Sequence, residues 1–99
     1  MICTTIEQSK RLLELGINPD SADMCRAHNN NLYTYPYKEV KCYADSFDIT
    51  PAWSFYRLIE MVGGANCLFD EKIEDYYDVL INIIEKEIKN GVFNKKYMI

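Results

Sequence analysis

The 99-residue chain lacks the features that mark membrane-spanning, secreted or duplex-binding proteins. No stretch approaches about 18 uninterrupted apolar residues, the length that suggests a membrane-spanning helix. The N-terminal segment MICTTIEQSK has no basic region followed by an apolar one, so we expect a cytoplasmic protein rather than a secreted one. The eleven basic residues are scattered over a chain with a net charge of −4, whereas duplex binding needs clustered cations. We therefore expect no membrane partner and no duplex nucleic acid.

The sequence is equally poor in motifs that carry chemistry. Its single histidine forms the one near-metal spacing, Cys25-x-x-His28, with the isolated Cys42 and Cys67 as candidate partners. Zinc sites often combine two close-spaced ligand pairs, and the second pair is missing. The imidazole of His28 could instead hold Cys25 as a thiolate nucleophile, but no glycine-rich oxyanion element accompanies them. We expect free, core cysteines and predict no catalytic residue, no metal and no cofactor; a zinc-binding or thiol-dependent enzyme using Cys25 and His28 is the alternative.

The composition itself is that of one folded domain. Hydrophobic residues make up 48% of the chain and charged residues 26%, and a length near 100 residues is sufficient for a core without staples. We therefore predict a single domain over residues 1–99. The eight tyrosines are the unusual feature, because tyrosine favours half-buried surfaces and interfaces.

Capping signals predict three helices. In the first, Thr4 and Thr5 stand three residues before Glu7 and Gln8, the spacing of a capping box, and Gly16 fits the left-handed position that ends the helix. In the second, ITPAWSFYRLIEMV, we expect Thr50 to cap the helix and Pro51 to occupy its first position. Apolar residues cover about 220° of that helix, so we expect it to be central. The third is predicted over residues 71–90, capped by Asp70 and ended by Gly91.

A period of two between the first and second helices predicts strands. One run has Tyr33, Tyr35 and Tyr37 alternating with Leu32 and Thr34, and a second has Val40, Cys42 and Ala44 alternating with Lys41 and Tyr43. We expect the two strands to join around Pro36 to Glu39 as an antiparallel hairpin over about residues 31–45. The tail VFNKKYMI is a candidate for a third strand. The predicted fold is therefore α+β, with three helices packed on a small antiparallel sheet. Tyr33 and Tyr35 could also stack bases of a single-stranded nucleic acid, although few cations interleave with them.

The third helix has more apolar surface than one core contact requires. Its apolar residues span about 200° of the helical wheel, twice the stripe of a typical surface helix. Either the tail and the hairpin cover both flanks, or one edge meets a second copy of the chain across a two-fold axis. The candidate edges are Tyr77 with Ile81, and Val79 with Ile83.

Three segments also carry a resemblance: TIEQSKRLLELGINPDSADMC, ITPAWSFYRLIEM and the closing helix that ends KNGVF. With these segments the chain resembles a family of small uncharacterised proteins from gut Bacteroides species and their phages and mobile elements. The resemblance implies no activity and no catalytic residues. The chain departs from the family pattern between the second and third helices, where GGANCLFDEK replaces a strand-rich stretch. We predict a small, non-enzymatic cytoplasmic domain that acts through protein association.

Overall fold

The computed structural model describes residues 3–27, 32–33, 35–43, 48–63 and 73–99, and over these the fold is α+β. Four α-helices occur in this part of the chain: α1 (Ile6–Glu14), α2 (Tyr37–Val40), α3 (Phe55–Met61) and α4 (Ile73–Lys89). Three short strands, β1 (Met24–Arg26), β2 (Leu32–Tyr33) and β3 (Thr50–Ala52), form an antiparallel sheet in the order β2-β1-β3. Single 3-10 turns lie at Pro19–Ser21, Lys41–Tyr43 and Lys95–Tyr97.

The ends of α1 confirm the capping signals of the sequence. Gln8 N–H donates to the Thr5 hydroxyl at 3.1 Å, and Thr5 N–H donates to the Gln8 side chain at 3.0 Å, which completes the capping box. Gly16 adopts a φ of +95° and donates its N–H to the Leu13 carbonyl at 3.0 Å, while Ile17 N–H donates to the Leu12 carbonyl at 3.2 Å. The turn directs Ile17 back into the core, where it forms a single bridge with Met98.

The second helix begins later than the sequence predicts. Thr50 and Pro51 lie in strand β3, where Pro51 pairs with Cys25, and α3 starts at Phe55. Ser54 is the residue that caps it, accepting from Arg57 N–H at 3.1 Å. Two effects favour a strand at Thr50: a residue before proline disfavours helical backbone, and a proline is tolerated on an edge strand such as β3. Pairing with β1 therefore prevails over the N-cap signal.

The hairpin predicted over residues 31–45 is wrong. Among the described residues of this range, only Leu32–Tyr33 is a strand, and it pairs with β1, whereas Tyr37–Val40 is helical. Pro36 has a φ of −57° and no N–H to leave unpaired, so it suits the start of a short helix better than the turn of a hairpin. The predicted strand in the tail is wrong as well, because Lys95–Tyr97 forms a 3-10 turn and β3 is the third strand.

The core centres on α4 rather than on the second predicted helix. Tyr77, Leu80, Ile81 and Ile84 are fully buried, and α4 packs against both α1 and α3. On its more exposed flank, α4 forms a polar contact with α1, in which Arg11 donates to Asn82 and Glu85. Its C-terminal end is as predicted: Gly91 has a φ of +73° and donates its N–H to the Ile88 carbonyl at 3.1 Å. The predicted cap Asp70 lies outside the described residues.

Candidate functional site

The candidate zinc or thiol residues do not form a cluster in the described part of the chain. Cys25 is fully buried on β1, and burial raises the pKa of its thiol. Cys42 is exposed in the turn Lys41–Tyr43, and His28 and Cys67 lie outside the described residues. Where the structure describes the chain, no group of three His, Cys, Asp or Glu side chains could hold a metal ion. A buried thiol with a raised pKa is a poor nucleophile at neutral pH.

Polar groups around Thr4 form a largely buried structural network. The Thr4 and Ser9 hydroxyls lie 2.7 Å apart, and Trp53 N–H donates to the Thr4 hydroxyl at 3.0 Å. Arg26 Nε donates to the Thr4 carbonyl at 2.8 Å, so the N-terminal segment is tied to β1. These donors and acceptors satisfy one another, which is the condition for burying polar groups without a large cost. We assign the network to stability rather than to chemistry.

The tyrosine ladder predicted for single-stranded nucleic acid is not continuous. Tyr33 lies in β2, Tyr35 lies in a bend, and Tyr37 begins α2. Tyr35 is 61% exposed, whereas Tyr37 is packed against the core. The three residues therefore do not share one strand.

The two edges predicted for self-association differ in burial. Tyr77 and Ile81 are fully buried within the chain, and burial raises the pKa of Tyr77 to about 12. The Phe55 ring lies 5.8 Å from the Tyr77 ring, so α3 covers this edge and the prediction of an interface there is wrong. Val79 and Ile83 are half-buried. An interface at Val79 and Ile83 stays a prediction.

A charged cleft of about 570 Å³ lies in the described part of the chain. It lies between the turn Pro19–Ser21, α2, α3 and the turn Lys95–Tyr97. Three cations and three acids contribute to its lining: Lys38, Arg57, Lys96, Asp20, Glu39 and Glu60. The small or less polar side chains in the lining are those of Ala22, Pro36 and Tyr97.

Backbone hydrogen bonds hold the walls of the cleft together. Tyr37 N–H donates to the Ala22 carbonyl at 3.2 Å, which ties α2 to the segment after Pro19–Ser21. Asn18 N–H donates to the Tyr97 carbonyl at 2.7 Å, which ties the same segment to the C-terminal turn. The Asn18 side chain also accepts from Asp20 N–H at 3.0 Å. Because these bonds involve main-chain atoms, we infer that the cleft is largely pre-formed.

The charges in the cleft are unequally paired. Asp20 accepts from Lys41 Nζ through both carboxylate oxygens, at 3.1 and 3.0 Å. Arg57 Nη1 is 3.6 Å from Glu60, longer than an N–H···O hydrogen bond. Arg57 Nε is buried, and none of the described residues accepts a hydrogen bond from it. Lys96 Nζ lies 5.0 Å from the centre of the Tyr97 ring.

Two exposed tyrosines adjoin the lining residues. Tyr56 is 72% exposed; it precedes Arg57 and lies one helical turn before Glu60, on the same side of α3. Tyr35 is also exposed, and it precedes the lining residue Pro36. The sequence could not reveal this grouping, because its members come from four separate segments. The only signal it held was the polar position of Arg57 in a helix otherwise rich in apolar residues.

Comparison of the chain with protein-family models, with curated proteins and with solved structures finds no match. The site must therefore be interpreted from its own geometry. In the described residues, none of the helices has the length and apolar character that a bilayer crossing would require.

Proposed function

We propose that the protein is a small, non-enzymatic cytoplasmic domain that acts through protein association, and that the charged cleft and its two tyrosines form the binding surface. The observation that carries the proposal is the pair of exposed tyrosines, Tyr35 and Tyr56, beside a cleft lined by Arg57. Tyrosine and arginine are enriched among the residues that dominate binding energy at protein interfaces. The resemblance to proteins of Bacteroides phages and mobile elements suggests a similar origin for this chain.

The occupant that we propose is a segment of another protein that carries a carboxylate. The chain as a whole has a net charge of −4, yet the cleft presents three cations, and one of its three acids is already paired with Lys41. Such a cleft complements an acidic segment better than a second copy of this acidic chain. Self-association through Val79 and Ile83 is the alternative within the same class.

Affinity capture from a host extract, followed by reconstitution with the purified partner, tests the proposal. We expect the double variant Tyr35→Ser/Tyr56→Ser to lose binding to the purified partner. The control Val92→Ser should keep it, because Val92 is also exposed but does not line the cleft. A partner that binds wild type and the double tyrosine variant equally would overturn the proposal.

Three further outcomes separate the alternatives. A dimer in sedimentation equilibrium that dissociates on Ile83→Lys would place the functional contact on α4 instead. Stoichiometric zinc that is lost on Cys25→Ser would favour the metal or thiol enzyme. Salt-sensitive retention on single-stranded DNA that is lost when Tyr33 and Tyr35 become Ala would favour the nucleic-acid binder.

A further inference from the structure

We infer that the cleft is a binding site for an oxyanion, with Arg57 as the principal donor and Lys38 and Lys96 as supporting cations. The ligand group with the best fit is a single carboxylate, and phosphate is the other source of the same chemistry. This inference deepens the proposed function, and it rests on that function for the biological origin of the carboxylate. The binding chemistry itself can be tested without any protein partner.

The weakly paired guanidinium of Arg57 is the first observation. Its Nε is buried without an acceptor among the described residues, and its Nη1 lies 3.6 Å from Glu60, too far for a good hydrogen bond. A guanidinium carries five N–H donors and no acceptor, and planar oxyanions match its fork with two parallel hydrogen bonds. One third of the Arg57 side chain is exposed and Arg57 lines the cleft, so a ligand there can reach its guanidinium.

The charge balance of the cleft is the second observation. Lys41 neutralises Asp20, so three cations remain against the two acids Glu39 and Glu60. The local surplus is therefore one positive charge, in a chain whose net charge is −4. A monoanion completes this balance, whereas a phosphate dianion would add repulsion from the two carboxylates. The cleft should consequently prefer a carboxylate to phosphate.

The shape of the cleft is the third observation. Its volume of about 570 Å³ lies within the range of roughly 300 to 1,000 Å³ that is usual for ligand sites. Pro36, Ala22 and Tyr97 supply the less polar walls on which the organic part of a ligand can rest. The site therefore has room for a carboxylate together with the side chain or chain end that carries it.

An NMR titration of the ¹⁵N-labelled chain tests the inference, with sodium acetate and inorganic phosphate as probes and sodium chloride at matched ionic strength as the reference. We expect acetate to cause saturable shifts of the Arg57 Nε–H signal and of the Ser21, Lys38 and Lys96 amides. Phosphate should cause weaker saturable shifts, and chloride should cause none. Shifts that do not saturate, or that chloride reproduces, would overturn the inference.

The affinity of variants for acetate identifies which cationic side chain is the principal donor. Arg57→Gln should raise the dissociation constant for acetate about tenfold or more, because it removes charge-assisted hydrogen bonds. The matched control Arg11→Gln alters an arginine that does not line the cleft, and should leave acetate binding unchanged. The double variant Lys38→Gln/Lys96→Gln changes two exposed side chains, so it keeps the fold even if Arg57→Gln does not. It should weaken binding by a smaller factor, and unchanged affinity in both cleft variants would overturn the inference.

Three remaining results separate the inference, its preference for a carboxylate and the proposed function. Phosphate binding tighter than acetate would support the oxyanion site and overturn the preference for a carboxylate. Specific acetate binding together with partner binding that ignores Tyr35 and Tyr56 would support this inference and overturn the proposed binding surface. Partner binding that needs the tyrosines, with no specific anion binding, would overturn only this inference.

Discussion

Arg11 and Arg57 lie on different helices with nearly equal side-chain exposure, 39% and 33%, yet their surroundings differ completely. Arg11 Nη2 donates at 2.6 Å to both Asn82 and Glu85, so α1 is clamped to α4. Arg57 makes one long contact with Glu60, and its Nε has no acceptor among the described residues. Side-chain exposure alone therefore does not distinguish an arginine that stabilises the fold from one that is available to a ligand. A guanidinium with satisfied donors stabilises the fold, whereas one with unsatisfied donors is available to a ligand.

The largest effect should come from the residue next to Arg57 that faces the core. Leu58 is fully buried, so Leu58→Ala should lower the free energy of unfolding by about 2–5 kcal/mol, the usual range for such a change. Ile59 is half-buried and should lose less on the same change, and Arg57→Ala should lose least. Denaturant unfolding followed by circular dichroism measures all three. Equal losses would mean that Arg57 does not lie on the outer side of α3.

Arg11→Met should destabilise the protein by a smaller amount. The change keeps most of the apolar stem but removes the hydrogen bonds to Asn82 and Glu85. Partly exposed ion pairs contribute little to stability because solvent screens them, so we expect a small loss in the same unfolding measurement. A double-mutant cycle with Glu85→Gln should show coupling between the two positions. Additive losses would contradict the clamp.

The Arg11 clamp also predicts a dependence of stability on pH. Hydrogen bonds from Arg11 and Lys89 hold the pKa of the Glu85 carboxyl below its ordinary value of 4.5. A carboxyl whose folded pKa is depressed contributes stability above its unfolded pKa, and this contribution is lost as the pH falls through the folded pKa. The melting temperature of wild type should therefore approach that of Arg11→Met as the pH is lowered below 4.5. A constant difference between pH 7 and pH 3 would contradict this assignment.

The smallest effect is expected for Arg57→Met. This change keeps the stem and removes a buried N–H that lacks an acceptor, so the free energy of unfolding should stay the same or increase slightly. Comparison with Arg11→Met in the same unfolding experiment is the direct test of the difference between the two arginines. A loss at Arg57 as large as that at Arg11 would show that Arg57 has a structural role.

Features whose partners are close in sequence were predicted well. The capping box of Thr5 and Gln8 and the left-handed turns at Gly16 and Gly91 were all predicted, because donor and acceptor lie within a few residues of each other. The α+β class followed from the same local patterns. The strands were predicted poorly: Met24–Arg26 has only three residues, too few to show a period. The start of α3 was misplaced because Thr50 and Pro51 satisfy a helical cap and an edge strand equally well.

The cleft was not predictable, since its residues come from four segments that meet only in the folded chain. Sequence alone determined both ends of α1 and the C-terminal end of α4, since those hydrogen bonds close over a few residues. Only the tertiary structure determined which of the two arginine side chains would find acceptors for its N–H donors. The partners of Arg11 lie 71 and 74 residues further along the chain. Pairing over such separations depends on how the helices pack, and that packing left one arginine clamped and the other facing the cleft.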